Sequence, residues 1–276
     1  MNKLSTSERA RVVAALVEGN SLRAVTRMTG VHRTTAMKLL SDLGHACSVY
    51  QSGVFRNLPC KVIQCDEIWT FVGSKEKNTS AEKKEQGWGD AWTWVAIDAD
   101  TKLVPCWHVG GRDATCALDF MHDLASRLTN RVQLTTDGLR TYLEAVEDAF
   151  GTEIDYAMLV KQYGGRKKEP DPERKYSPAA CTGALKVRIT GKPKKKLVST
   201  SYVERQNLTM RMGMRRFTRL TNAFSKKLEN HEHAIALHFM HYNFCRIHQT
   251  LRITPAMESG VSDHVWSLAE VVALLD

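Results

Sequence analysis

Three acidic residues that are far apart in the chain have the types and settings needed to bind divalent cations. Asp66 lies inside the apolar segment KVIQCDEIW, Asp137 directly follows the run VQLTT, and Glu204 opens a basic segment. A carboxylate inside a buried strand must be paired, protonated or bound to a metal. Hard cations prefer oxygen ligands, and two of them about 4 Å apart can promote an in-line phosphodiester displacement. Together the acids indicate such chemistry, although Asp137 alone could simply cap a turn.

The segment around Glu204 is unusually one-sided in charge. Residues 202–220 contain five arginines and this single acid. Glu204 could favour the positive end of a helix dipole, or pair with Arg205 or Arg211. Alternatively, Glu204 could bind a metal ion while the surrounding bases hold a polyanion. Arg211 is suitably placed for this, because it lies seven residues on, about two helical turns away and on the same helix face as Glu204. The candidate DNA contacts here are Arg205, Asn207, Arg211, Arg215 and Arg216.

The net charge of +9 is distributed unevenly. Residues 161–200 contain twelve lysines and arginines against three acids, whereas residues 51–160 contain seventeen acids against eleven bases. A polyanion such as double-stranded DNA is the natural partner of the basic parts. Within 161–199, a stretch rich in Gly, Pro and Lys, we expect a mobile basic insertion whose DNA contacts include Lys194, Lys195 and Lys196.

The first 45 residues predict three short helices, with a capping box at Ser5 and Glu8 and glycine stops. The third helix, ending near Gly44, would bury an apolar stripe that includes Met37. Its outer face is basic and hydroxylic, as in a helix-turn-helix unit that reads DNA. A plain three-helix cap is the alternative. The candidate DNA-binding residues on this face are Arg33, Thr34, Thr35 and Lys38.

The remaining elements predict an α/β domain. Residues 46–60 read as a linker, and three strands, a helix, a strand, a helix and a fifth strand follow between residues 61 and 160. The fifth strand, EIDYAMLVK, would be the last of the sheet. The domain would extend to residue 230, and residues 231–276 would form a C-terminal helical region. We expect the helix HEHAIALHFMHYNF and the tail to form part of an oligomer interface.

Four motifs in this order resemble the insertion sequence 1 family of bacterial transposases: QCDEIW, QLTTDG, YVERQNLTMRMGMRRFTRLTNAFSK and MHYNFCRIHQTLRITPAM. More broadly, a strand Asp, a strand-end Asp and a helix Glu with a base seven residues later resemble the DDE transposases and retroviral-type integrases. That resemblance implies an RNase H-like mixed sheet with flanking helices, preceded here by an all-α helix-turn-helix domain.

The resemblance also implies a function. Asp66, Asp137 and Glu204 would be the catalytic, metal-binding triad and Arg211 its associated base, with two Mg²⁺ or Mn²⁺ ions per active site. The enzyme would bind the terminal inverted repeats of an insertion sequence, cleave 3′ ends and join them to target DNA. Two element ends must be processed together, so a dimer is the smallest expected assembly. A non-catalytic DNA-binding regulator and a stand-alone RNase H-like nuclease are the alternatives.

The cysteines and histidines fit this interpretation without adding a metal site. Seven scattered cysteines without a CxxC pair predict reduced thiols in a bacterial cytoplasmic, nucleoid-associated protein, and we find no signal peptide or membrane span. Well-known family members carry an N-terminal zinc module whose four-cysteine pattern is missing here. A zinc site from His45, Cys47, Cys60 and Cys65 has poorly fitting spacings. The histidines at 231, 233, 238 and 241 are interpreted as core or surface residues.

Overall fold

The computed structural model describes residues 4–164, 181–218 and 223–276. Three helices open the chain: α1 (Thr6–Val17), α2 (Leu22–Thr29) and α3 (Arg33–Val54). The expected capping box is present, because Ser5 and Glu8 exchange hydrogen bonds at the start of α1. The three helices are therefore confirmed, whereas their role as a DNA-reading helix-turn-helix domain stays a prediction.

Helix α3 is longer than the sequence predicted, and Gly44 explains the difference. The helix continues through Gly44 to Val54, so the segment interpreted as a linker begins inside it. A Cβ atom at Gly44 would lie 2.3 Å from the carbonyl oxygen of His233. Gly44 therefore does not end its helix. It permits that helix to pack closely against the segment that contains His233. Met37 was also expected in the core but is 42% exposed, because the buried stripe runs through Ala36, Leu39, Leu40 and Leu43.

Six strands form one mixed sheet in the order β3-β2-β1-β4-β5-β6. Strands β1 and β2, β2 and β3, and β5 and β6 pair antiparallel, whereas β4 runs parallel to both β1 and β5. The predicted α/β class is confirmed, and the sheet is compatible with an RNase H-like core. The strands are β1 (Val62–Val72), β2 (Gly89–Asp98), β3 (Trp107–Gly110), β4 (Val132–Thr136), β5 (Ile154–Tyr163) and β6 (Cys181–Thr190).

The prediction that β5 ends the sheet was wrong, because β6 continues it. In β6 the apolar residues Leu185, Val187 and Ile189 alternate with polar ones, which is the period of a strand. The surrounding Gly, Pro and Lys obscured this pattern. After β6, Gln133 exchanges two hydrogen bonds with the backbone of Lys194. This part of the expected mobile insertion is therefore held against the sheet, and residues 165–180 lie outside the described residues.

The helices that follow α3 are α4 (Ala81–Glu85), α5 (Ala114–Arg127), α6 (Thr141–Phe150), α7 (Ser201–Gly213), α8 (Leu228–Met240), α9 (Pro255–Glu258) and α10 (Leu268–Ala273). Among them, α5 and α7 contact strands of the sheet, whereas α10 contacts α1. Trp94 packs against Phe120 of α5 and Tyr142 of α6, at ring distances of 6.0 and 5.3 Å. No helix in the described ranges has the length and apolar character of a membrane span.

Helix α8 is packed inside the chain, which corrects the expectation that it forms part of an oligomer interface. Its residues from Ala234 to Met240 are all buried. Gln51 of α3 donates a hydrogen bond to the carbonyl oxygen of Ala236, and the tilted rings of Phe239 and Trp107 lie 4.9 Å apart. The apolar residues that suggested an interface between subunits are thus used between α3, α8 and the sheet.

Two buried histidines of α8 are expected to make the protein less stable at acidic pH. His231 and His238 are buried as expected, and burial lowers the pKa of each to about 3. In the unfolded chain a histidine titrates near pH ~6.5, so the unfolded state binds more protons below that pH. Stability then falls as the pH falls from about 6.5 toward 3, by about 1.4 kcal/mol per pH unit for each ring.

Denaturant titrations of the wild type and of His231→Gln between pH 6 and 4.5 measure this slope. We expect the variant's free energy of unfolding to depend on pH less steeply, by about 1.4 kcal/mol per pH unit, whatever its absolute stability. Equal slopes for the two proteins would show that His231 is protonated in the folded state.

Candidate active site

The register of two parallel strands brings the first two candidate ligands together. Gln64 of β1 lies opposite Thr135 of β4, so Asp66 lies two residues further along, level with Asp137 just past the end of β4. Carboxylate oxygens of Asp66, Asp137 and Glu67 all lie within 4.8 Å of one another. The structure therefore builds an acidic group at the strand ends, with one member that sequence reasoning missed.

Glu67 was missed because neighbouring residues of a strand point to opposite faces of the sheet. Asp137 lies beyond the last residue of β4, and from this position its carboxylate approaches both Asp66 and Glu67. The side chain of Glu67 is only 1% exposed. The signal that could have found it is the Asp-Glu pair inside an otherwise apolar strand.

The acidic group has the electrostatics of a cation site. Burial and then the charge of Asp137 raise the pKa of Asp66 to about 6. The same two causes, in the same order, raise the pKa of Glu67 to about 8. Crowded carboxylates resist ionisation because their charges repel each other, and a bound cation relieves that repulsion. Hard oxygen donors in this arrangement fit a divalent ion such as Mg²⁺.

A basic side chain already contacts two members of the group. Arg112, in the loop before α5, places its Nε 3.1 Å from Glu67 and its Nη2 3.7 Å from Asp137. The guanidinium also lies over the ring of Trp92, 4.7 Å from its centre. Arg112 thus compensates part of the buried negative charge of the acidic group.

Helix α7 carries Glu204 to the same region. Gln64 accepts hydrogen bonds from the backbone N–H groups of Tyr202 and Val203, which fastens the first turn of α7 to β1. One turn further, the side-chain amide of Asn207 donates to Asp66 at 2.9 Å. Since Asn207 is buried, it acts here on Asp66, whereas the sequence suggested a DNA contact.

Glu204 itself lies beside the acidic group and has its own partners. Its Oε2 is 2.6 Å from Nζ of Lys161 on β5, and its Oε1 accepts a hydrogen bond from the Thr200 hydroxyl. The charge of Glu204 contributes to the raised pKa of Asp66, behind burial and Asp137. Four acids, Asp66, Glu67, Asp137 and Glu204, therefore share the region with two bases, Arg112 and Lys161.

Over 177 residues the chain is 28% identical to the insertion element iso-IS1n protein InsB of Shigella dysenteriae, and the alignment covers 63% of this chain and 90% of that protein. No protein-family model matches the chain. The resemblance to the insertion sequence 1 family is confirmed.

The candidate DNA-binding residues of this insertion-sequence-like chain differ in their surroundings. Arg216 is half-buried: its guanidinium donates to Ser225, and burial lowers its pKa to about 10. Arg211 is half-buried, and Lys38 pairs with Asp42 at 2.7 Å. The remaining candidates are exposed: Arg33, Thr34, Thr35, Lys194, Lys195, Lys196, Arg205 and Arg215.

The cysteines do not form a metal site within the described ranges. Cys47, Cys60 and Cys65 are buried free thiols, and burial raises the pKa of each. These cysteines and His45 do not come together as a group of metal ligands in the described part of the chain. The zinc site considered from the sequence thus has no support in this fold.

The ion pair of Lys161 and Glu204 leads to a prediction about metal binding. Burial would lower the pKa of Lys161, but the hydrogen bond and charge of Glu204 outweigh it and raise that pKa. A lysine held in this charged form beside the carboxylates repels any added cation. We expect Lys161→Met to bind Mn²⁺ about fivefold more tightly, because one repelling unit charge is removed.

Isothermal titration calorimetry with Mn²⁺ tests this expectation. The matched control is Lys186→Met on the neighbouring strand, where the ammonium group donates to the carbonyl oxygen of Lys195. Affinity should stay the same in the control. Equal or weaker Mn²⁺ binding by Lys161→Met would mean that the lysine does not oppose the cation.

Proposed function

We propose that this chain is a DNA transposase. It would bind the terminal inverted repeats of an insertion sequence, cleave the 3′ ends and join them to target DNA. The similarity to an insertion-element protein supports a transposase-related function. The observation that carries the finer proposal is the convergence of Asp66 and Asp137 at the ends of two parallel strands, with the helix of Glu204 fastened over them.

In this proposal Asp66, Asp137 and Glu204 hold the cations, and Glu67 completes the carboxylate group. Two divalent ions, Mg²⁺ or Mn²⁺, would supply activation of the attacking oxygen and stabilisation of the leaving oxygen in an in-line displacement. Asn207 orients Asp66 through its amide, and Gln64 holds α7 in place. Glu204 must exchange Lys161 for the cation, since the ion pair occupies one of its oxygens.

The basic residues would hold the DNA around this centre. Arg205 and Arg215 are exposed on and after α7, and the lysines at 194–196 are exposed beyond β6. Arg211, two turns after Glu204, would grip a phosphate beside the cations. The exposed start of α3 would read the element end. The assembly would be at least a dimer, and DNA as substrate implies a cytoplasmic, nucleoid-associated location.

A non-catalytic DNA-binding regulator is supported less well by the same residues. Each carboxylate near the basic surface weakens DNA binding unless a cation neutralises it. A regulator gains nothing from four such acids at one place. A stand-alone nuclease would account for the acids but has less need for a sequence-reading N-terminal unit. One assay distinguishes the transposase from both the regulator and the nuclease.

The assay follows labelled element-end DNA with Mg²⁺ or Mn²⁺ and compares the wild type with Glu204→Gln. The wild type should cut the 3′ strand and join it to target DNA, whereas the variant should bind without cutting. A regulator would bind without cutting in both cases, and a general nuclease would cut without joining. Full cleavage by Glu204→Gln would remove this residue from the cation-binding set.

A further inference from the structure

A cavity of about 680 Å³ lies between the N-terminal helices, the described residues on either side of the α7–α8 connection, and α8 itself. One wall comes from the end of α1, the start of α2 and the exposed side of α3, including Met37. The other wall comes from residues 213–216, residues 223–226 and the inner face of α8. None of the four carboxylates of the candidate active site lines this cavity. It is therefore a separate feature of the molecule.

The charge around the cavity has one sign. Its described lining contains several basic side chains and no aspartate or glutamate. A concave surface with charges of one sign concentrates ions of the opposite sign. The cavity is thus suited to an anionic ligand, and arginine pairs well with phosphate because its planar fork matches the oxygens. The basic residues are Arg23, Arg33, Arg215, Arg216 and Lys226.

A buried histidine lines the same cavity and has an unused polar atom. His238 is 8% exposed, and its Nε2 has no hydrogen-bond partner among the described residues. Its imidazole is neutral at physiological pH, because burial lowers its pKa to about 3. Buried polar atoms are normally hydrogen-bonded, and an exception requires an explanation. A ligand with its own hydrogen-bonding edge, placed against Nε2, would supply the missing partner.

The rest of the lining combines apolar side chains with the polar residues Asn20, Ser21, Ser225 and Asn230, and the cavity is of limited size. Leu16, Leu40, Phe224 and Leu237 contribute to the walls. Cavities of roughly 300–1,000 Å³ typically enclose a drug-sized molecule, so this one takes a single planar group with its phosphate but not a DNA duplex. Apolar side chains, the unpaired Nε2 of His238 and the surrounding cations match the parts of a nucleotide: a base, its edge and its phosphate.

We propose that this cavity binds one unpaired nucleotide of a DNA strand, with the phosphate at the arginines and the base against His238. The inference rests on the proposed function, because it states which part of the DNA this second site takes. A base that leaves the duplex loses stacking and pairing, and an enclosing pocket offsets part of that cost. The N-terminal helices and the chain after α7 would then hold the same strand.

The contribution of the basic residues of the cavity can be tested with the full-length protein, by measuring its affinity for a labelled single-stranded oligonucleotide by fluorescence anisotropy. The double variant Arg23→Gln, Lys226→Gln should bind at least about fivefold more weakly, because two phosphate contacts are lost. The matched control is Arg11→Gln, an exposed arginine of α1 outside the cavity, which should change the affinity less than about twofold. Equal losses in the two proteins would overturn the proposal.

A second variant tests whether the volume of the cavity is needed for binding, without changing its charge. Met37 lines the cavity and is 42% exposed, so Met37→Trp should fill part of the volume while the fold is kept. This variant should weaken single-strand binding and leave duplex binding unchanged. If single-strand affinity is unaffected while circular dichroism confirms folding, the interior of the cavity is not the binding site.

Nuclear magnetic resonance identifies the ligand's position directly. Addition of a deoxynucleoside monophosphate should shift the ring signals of His238 and leave those of exposed His122 in place. Inorganic phosphate should leave His238 unshifted, because it reaches the arginines but has no base. If phosphate and nucleotide give the same shifts, the cavity is an anion site only, and the nucleotide assignment fails.

These results separate the cavity from the proposed activity. If the variants lose single-strand binding while the wild type cuts no element-end DNA, the cavity assignment stands and the transposase proposal fails. If the wild type cuts and joins DNA while all variants bind single strands normally, the transposase proposal stands and the cavity assignment fails.

Discussion

Asp66→Asn is expected to lower the rate of 3′-end cleavage at least about a thousandfold, because it removes a charged ligand from the cation site. The fold should survive this change. The carboxylate of Asp66 accepts a hydrogen bond from Asn207, and the carbonyl oxygen of an asparagine can accept the same bond. Loss of activity and retention of structure are therefore predicted together.

The same substitution should make the metal-free protein more stable at neutral pH. The pKa of Asp66 is raised from 3.8 to about 6 by burial first and by Asp137 second. A raised carboxyl pKa stabilises the fold below the unfolded value, and this contribution is lost as the pH rises through the folded value. Above pH ~6 the ionised group costs about 3 kcal/mol, so Asp66→Asn should gain about 1–3 kcal/mol.

Two measurements at pH 7.5 check both parts: cleavage of labelled element-end DNA, and urea unfolding without divalent ions. Asp100→Asn is the matched control, because this aspartate is exposed in the turn after β2. The control should cleave normally and unfold at nearly the wild-type urea concentration. Substantial cleavage by Asp66→Asn would remove Asp66 from the site, and strong destabilisation would make it a structural residue.

Gly44→Ala is expected to destabilise the protein by about 3 kcal/mol or more, although alanine is the better helix former by about 1 kcal/mol. The added Cβ would lie 2.3 Å from the carbonyl oxygen of His233 and 2.5 Å from its Cβ. Neither atom is the end of a flexible side chain. Helices α3 and α8 would have to separate, and the buried contacts between them would weaken.

Gly53→Ala in the same helix provides the matched control with the opposite sign. A Cβ at Gly53 would have no atom within 4 Å, so only the helix propensity changes. We expect this variant to be more stable than the wild type by up to about 1 kcal/mol. Thermal and denaturant unfolding of both variants measure the difference. Similar effects of the two substitutions would show that the close approach of α3 and α8 does not limit stability.

Several features of the fold could be predicted because they depend on short stretches of sequence. The capping box at Ser5 and the apolar periodicity of α1 to α3 are local, and so are the β-rich runs that became the first five strands. The end of α3 could not be predicted, because a glycine such as Gly44 usually indicates the end of a helix. In the folded chain it permits the close approach of α8 instead. Strand β6 was hidden in a similar way by its Gly- and Lys-rich surroundings.

The candidate site likewise has features that are local in the sequence and features that depend on the packed fold. The positions of Asp66 within a strand and of Asp137 at the end of another could be predicted, because hydrophobic pattern and turn residues are local signals. Three contacts became evident only in the folded chain: Glu67 joins the two aspartates, Arg112 and Lys161 neutralise part of the acidic charge, and Asn207 donates a hydrogen bond to Asp66. These contacts could not be predicted because strand register and helix packing set the distances, and both depend on residues far away in the chain.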